Sequence, residues 1–473
     1  MDTVKNVLFK EGWFFLLIIF IFKVSCFDIT FFWDSINCLS RVAHHIYDNG
    51  LSYFCYEEKY DNGDPHILPF YIATLWSLMG KNLIITHLAF LPFTLGCVYQ
   101  VVQLSRKLFT IGDSNNLLFF LLSTILILSD TSFLSQIILL GTDVCVIFFA
   151  LYTVNQILKG GYLTLSVGFV GLLITRRGMI ISAVLMITYL LHCYFVQKKE
   201  FKLKSFLYDL LPTLPACLFV LLFLVLRYVN VGWVFNNPVT VWAETGDLVT
   251  KKELLKNGLV YVWRNLDFGR FAIWGVFLFS VLKSKKIFFG ELKTLWFAYF
   301  LLQMAFLIVT LPITNPFGAR YFIVQFVLFS AIVSKIVYEN FDKKVAKGLM
   351  IAMIVIVNSG HFWLYPLNIA QNWDCTLKHI SFYDLRKETF EYLENNGIDY
   401  SNVASGFSLY GNQRLIDLKD EDRLIDSEIG DNEYYLYSNI CSERDERRSE
   451  FCRDWEQVAL FQKNDIFIQI LKK

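Results

Sequence analysis

Apolar runs close to twenty residues long recur along this chain, and they limit its fold more than any other feature. LPACLFVLLFLVLRYVNVGW and LWFAYFLLQMAFLIVTLPI are two of them. Such runs are long enough to cross a hydrocarbon core of about 30 Å as helices. The chain is 55% hydrophobic and only 18% charged, with 46 Phe among 473 residues. Its mean hydropathy is +0.46. A soluble domain of that composition could not cover its surface with polar groups. The expected fold class is therefore a polytopic α-helical membrane protein.

Eleven spans are predicted, near residues 13–32, 83–104, 117–139, 141–158, 161–175, 178–196, 207–229, 268–282, 291–312, 319–338 and 345–364. The first run follows Lys5 and Lys10 but has no small-x-small cleavage site before FFWD, so it reads as a spanning helix. HILPFYIATLWSLMG, at 66–80, is short and suits an interfacial or re-entrant helix as well as a span. The distribution of Lys and Arg decides its reading. If it does not cross, Lys5, Lys10, Arg106, Lys107, Lys159 and the runs QKKEFKLK, KSKK and DKKVAK all share one face. The expected topology then has a cytoplasmic N-terminus, external loops at 33–82 and 230–267, and an external C-terminus. Residues 1–365 form the membrane domain. Residues 366–473, where a helical pattern alternates with short β-type runs, form a small extracytoplasmic α/β domain.

The ten cysteines show no CxxC and no metal-binding spacing. Cys97, Cys145, Cys193 and Cys217 lie in apolar runs and read as small buried hydrophobes. Cys441 and Cys452 are either a disulfide or two free thiols, and the same question is open for Cys38 and Cys55. The net charge of +1 carries no signal for an acidic or nucleic-acid partner, and none is expected. Walker, Rossmann and nucleophile-elbow motifs are missing from the sequence, which argues against cytosolic nucleotide-sugar chemistry.

Ionisable residues near the membrane are costly and mark functional positions. Asp34 precedes SINCLSRVAHHIY, whose apolar residues recur at helical spacing. It is either the N-cap of an amphipathic interfacial helix or a catalytic carboxylate. In GDPHILPFY, His66 sits at the mouth of the non-crossing helix, as an interfacial histidine or a ligand. Asp143 in LLGTDVCV starts a span on the same face, where two carboxylates could share a base or metal role. Arg176 and Arg177 in ITRRG run against the charge bias and call for an anion such as a lipid phosphate. Arg320 and Tyr321 in FGARYF open another span, either snorkelling to headgroups or binding a ligand. Trp242, Glu244 and Asp247 in the 230–267 loop are candidates for an acceptor groove.

With these residues in place, the layout resembles the GT-C superfamily of integral-membrane glycosyltransferases. It is most like the bacterial branch of lipid A aminoarabinose transferases and protein O-mannosyltransferase-like enzymes. The resemblance covers roughly 13–200 and 319–338 and rests on motif order. Trp33-Asp34-Ser35 matches the acidic first-loop motif, with Ser35 where relatives often carry a second acid. DPHILPFYIATLWSLMG is similar to a rearranged proline-rich entry, with His66 near its basic position. Thr142-Asp143, Thr175-Arg176-Arg177-Gly178 and Arg320-Tyr321 match the later motifs. The resemblance implies Asp34 and Asp143 as catalytic carboxylates, with His66, Arg176, Arg177, Arg320 and Tyr321 around a phosphate. It implies a polyprenyl-phosphate-linked sugar donor and a lipid, glycan or protein acceptor, at the outer face of a bacterial inner membrane. Some relatives use a divalent metal, which Asp34 and Asp143 are too few to demand. The competing reading is a transporter or flippase of lipid-linked glycans. Such a protein more often shows paired repeats and broken helices at mid-membrane; no convincing repeat is seen here, and the acids lie at helix ends rather than mid-span.

Overall fold

A computed structural model describes residues 12–51, 58–110, 114–234, 247–283, 287–290, 292–314, 318–365, 372–419, 423–440 and 454–473. The chain begins with α1 (Trp13–Val24), α2 (Arg41–Asp48), α3 (Ile67–Met79) and α4 (Leu83–Leu108). It continues through α5 (Ser114–Leu128), α6 (Thr131–Ile138), α7 (Thr142–Lys159), α8 (Tyr162–Gly171) and α9 (Arg176–Leu191). Then come α10 (Leu203–Leu210), α11 (Leu214–Val231), α12 (Lys251–Leu266) and α13 (Phe271–Lys283). The last three of the membrane domain are α14 (Leu292–Thr310), α15 (Ile323–Asn340) and α16 (Lys343–Ser359).

Every expected span holds a helix, but their lengths differ. Among the described residues seven helices are long and apolar enough to cross a membrane, and two bent pairs raise the number to nine. The pairs are α5 with α6, bent by 69°, and α12 with α13, bent by 85°. Expected spans 13–32 and 161–175 are short apolar helices, Trp13–Val24 and Tyr162–Ile174, about as long as the 66–80 helix. Length alone therefore does not separate these three. The first is short for a visible reason. After Val24 the chain leaves the helix, and Phe31 and Phe32 bury against the C-terminal part instead of lipid. The Phe31 amide donates to the Ile416 carbonyl at 3.0 Å, and the Phe32 ring stacks on His379 and meets Phe382 and Tyr383 edge-on.

The two bends are joined by one buried ion pair. Asp130 caps α6 by accepting from the Phe133 amide at 3.0 Å. The same carboxylate takes both arms of Arg270, Nε at 2.6 Å and Nη2 at 2.9 Å. Arg270 lies in the corner between α12 and α13, and its guanidinium covers the Phe326 ring of α15 at 3.8 Å. Two bends that would expose unpaired helix ends are thus pinned to each other and to the central helix. Ser132 Oγ accepts from the same guanidinium at 2.8 Å, which satisfies a further donor.

The C-terminal part carries α17 (Ile380–Asn395), the short α18 (Arg414–Asp417), and strands β1 (Val403–Ser405), β2 (Gly411–Asn412), β3 (Leu424–Ile425), β4 (Tyr434–Ser438), β5 (Glu456–Lys463) and β6 (Ile466–Lys472). Four strands form a mixed sheet in the order β1-β4-β6-β5, with β1 parallel to β4 and the other pairs antiparallel. The β5–β6 hairpin turns on Asn464 and Asp465, both with positive φ (51° and 65°), the backbone that a two-residue hairpin turn requires. On β6, Ile466, Ile468 and Ile470 alternate into the core. α17 packs on β5 and β6, and its Phe382, Tyr383 and Leu385 belong to the same apolar core as α1 and α4. The expected α/β character is present, and the sheet part is continuous with the helical part through that core. Cys441 and Cys452, like Cys55, lie outside the described residues.

Removing one partner of the Asp130–Arg270 pair would leave a buried, uncompensated guanidinium. Asp130→Ala should cost about 3–5 kcal/mol, read as a large drop in melting temperature in detergent. Replacing both partners with apolar residues of similar volume should recover part of that loss.

Candidate functional site

A cavity of about 480 Å³ opens where several helix ends meet. The N-terminal ends of α7 and α9 and the turn before α15 reach it, as do the C-terminal ends of α6, α11 and α14. The basic clusters Arg106-Lys107, Lys159, Lys198–Lys204 and Lys343–Lys347 fall at the opposite ends of these and neighbouring helices. Three helix starts present partial positive charge toward the cavity.

Arg320 is the centre of the site. Its Nη2 bonds Asp34, its Nη1 reaches Asp374 Oδ2 at 2.7 Å, and its Nε lies 3.8 Å from Asp143 Oδ2. Arg177 Nη1 takes the other oxygen of Asp143 at 2.7 Å, and its guanidinium covers the Tyr321 ring at 4.2 Å. Arg320 stands 5.5 Å from the same ring. The carboxylates differ in access: the Asp34 side chain is 27% exposed, those of Asp143 and Asp374 only 9% and 8%.

Asp34 does not act as an N-cap. The segment Ile36–Ser40 begins after Ser35 with no side-chain cap hydrogen bond, and the Asp34 carboxylate turns to Arg320 instead. The turn that aims it is strained: Trp33 has φ 58°, a left-handed conformation that costs a non-glycine residue roughly 1–2 kcal/mol. The Trp33 ring, edge-on to Phe407 at 4.3 Å, holds that backbone in place. Asp143 is likewise no cap. Gly141 precedes α7, and Asp143, in its first turn, pairs with Arg177 and Arg320.

Arg176 forms the outer edge of the cavity. Its amide donates to Asp64 Oδ1 at 2.8 Å, its Nη2 donates to the Asn62 carbonyl at 2.8 Å, and its side chain is 53% exposed. Gly63, at φ +85°, lets the guanidinium lie flat on this loop, since a Cβ there would sit 2.5 Å from Arg176 Cζ. Thr175 caps α9 by accepting from the Gly178 amide at 2.9 Å. A Cβ on Gly178 would fall 1.8 Å from the Leu172 carbonyl, so the Thr-Arg-Arg-Gly motif needs its glycine to form this turn. Beneath the loop, Asp61 pairs with Arg227 at 2.9 Å and accepts from Trp233 Nε1 at 3.2 Å, tying the loop to the end of α11.

Asp34, Asp143, Arg176, Arg177, Arg320 and Tyr321 therefore line one cavity. His66 does not. It is buried at the start of α3, and burial lowers its pKa to about 4, so it is neutral and a poor phosphate ligand. Asp247 is exposed, and its carbonyl accepts from the Thr314 amide at 3.1 Å, beside the cavity-lining Ile313. Trp242 and Glu244 lie outside the described residues. Sequence reading missed Asp374, Asp61 and Arg227. Asp374 sits in a polar tail far from any motif. Arg227, however, is a cation near the end of an apolar run, which the cost of such residues could have flagged. The donor set does not fit a divalent ion, since Asp34, Asp143 and Asp374 each face a guanidinium. Among the described residues no three His, Cys, Asp or Glu converge to hold one.

No protein-family model matches the chain, and no curated protein matches it. Among solved structures, the chain is similar to ArnT from Cupriavidus metallidurans bound to undecaprenyl phosphate. The likeness covers 82% of this chain and 73% of that one, at 12% identity and a TM-score of 0.49.

Three buried histidines outside the cavity, His44, His66 and His379, are all held at about 4 by burial. Their unfolded value is about 6.5. Between those values the unfolded chain binds more protons, so the stability present above pH 6.5 is lost as pH falls toward 4. Asp374, raised by burial, works in the opposite direction but is one group against three. The melting temperature should fall from pH 6.5 to 4.5, and less steeply in a His44→Gln/His66→Gln variant.

Proposed function

We propose that the chain transfers a sugar from a polyprenyl-phosphate-linked donor to an acceptor at the extracytoplasmic membrane face. The observation that carries this reading is the cavity itself. It gathers an accessible carboxylate, Asp34, and arginines at the ends of apolar helices, on the side away from the basic clusters. The positive-inside rule puts that side outside the cytoplasm. A donor with its lipid tail in the bilayer would present its phosphate at this depth.

The phosphate would meet Arg176 at the rim and Arg177 further in, assisted by the N-terminal dipoles of α7 and α9. Arg320 is engaged by three carboxylates and is not the primary anion ligand. Asp34 accepts the proton of an acceptor hydroxyl as its oxygen bonds to the anomeric carbon. The bond from that carbon to the phosphate oxygen breaks, and polyprenyl phosphate leaves. A single displacement inverts the anomeric carbon. Cation contacts that strengthen as charge develops on the leaving oxygen lower the barrier.

The test is transfer from synthetic undecaprenyl-phosphate sugars by the full chain in nanodiscs. Asp34→Asn should lower kcat by at least about a hundredfold with an unchanged melting temperature. Arg176→Gln should raise the donor KM several-fold with a smaller effect on kcat. An Asp34→Asn protein with normal turnover removes the role of Asp34. Lipid-linked glycan movement across vesicles with no transfer would favour a flippase.

A further inference from the structure

We propose that Asp374, from the segment after the last membrane helix, is a positioning residue that keeps Asp34 available as a base by holding the second arm of Arg320. The inference rests on the glycosyltransfer reading for its kinetic part only. Asp34 and Asp374 occupy the two terminal nitrogens of one guanidinium, on Nη2 and Nη1. If Asp374 were missing, both nitrogens would turn to Asp34 as a bidentate pair, the strongest geometry an arginine and a carboxylate can adopt. A carboxylate so clamped is a weak base and cannot swing toward an acceptor hydroxyl.

The charges support the same conclusion. The inner cluster has three carboxylates, Asp34, Asp143 and Asp374, and two guanidiniums, Arg177 and Arg320. It therefore carries one excess negative charge, and the most exposed carboxylate, Asp34, is where that charge meets the cavity. The Asp64–Arg176 and Asp61–Arg227 pairs around it are balanced. Cys38, also against Asp34, has its thiol pushed up to about 12 by burial and contributes no charge.

Asp374 is built to hold this position. Its carbonyl accepts from Ser135 Oγ at 2.8 Å and Gln136 Nε2 at 2.7 Å, so the bent helix α6 fixes its backbone. Burial raises its carboxyl above the usual range even with Arg320 beside it. The protonation steps belong to the cluster as a whole. Neutralising Asp374 removes the excess charge, and the next proton then enters at lower pH.

Asp374→Asn keeps the backbone contacts and the volume. It should lower kcat about tenfold or more with little change in the donor KM. The acid limb of its pH–rate profile should move down by about one pH unit, and Asp374→Glu should restore part of the rate. Binding of undecaprenyl phosphate itself, read by Trp fluorescence in nanodiscs, should be several-fold tighter in Asp374→Asn, because a like charge beside the phosphate is gone. A normal kcat and pH profile in Asp374→Asn would overturn the proposal, as would a rate loss accompanied by an equal loss of lipid binding and melting temperature. If the native chain transfers no sugar, the functional reading fails by itself. The binding measurement then decides on Asp374: tighter binding supports it as the source of the cluster's excess charge, and unchanged binding refutes that.

Discussion

Arg320 is the constraint on which the rest of the site depends. A guanidinium this deep is tolerated only with its charge matched, and three carboxylates from separate parts of the chain supply the match. Asp34 comes from the strained turn after α1, Asp143 from the first turn of α7, and Asp374 from beyond α16. These segments must converge to within ion-pairing reach of one side chain. Their convergence fixes where the first loop and the C-terminal part sit on the helical domain.

Two other features serve that convergence. The Asp130–Arg270 pair locks the bends in α5–α6 and α12–α13, and the bent α6 in turn grips the Asp374 carbonyl. The aromatic contacts of Phe32 with His379, Phe382 and Tyr383 draw the end of the first apolar run onto α17. Apolar burial that lipid would otherwise provide comes from the C-terminal part. The two parts thus share one core, and the cavity lies where they meet.

Most of the fold was legible in the sequence because the bilayer leaves few choices. Apolar length and charge bias located the helices, and the short β-type runs of the tail gave its mixed α/β character. The cavity's acids and arginines were legible for the same reason, since a charge at a helix end in an apolar chain has to be explained. The shortness of α1 and the bends were less visible. Phe31 and Phe32 look lipid-facing in sequence, because nothing local shows that α17 will cover them. His66 looked like a ligand by position and is a buried neutral ring.

The sequence by itself determined that this chain lives in a membrane, that its basic loops gather on one face, and that Asp34, Asp143, Arg176, Arg177 and Arg320 stand at helix ends facing the other. Those properties follow from hydropathy and charge, which act residue by residue. Only the tertiary structure decided which carboxylate pairs with which guanidinium. It turned Asp34 from a plausible cap into a partner of Arg320, and it brought in Asp374 from a tail with no motif. Pairing depends on distances between segments hundreds of residues apart, which packing sets and local sequence does not encode.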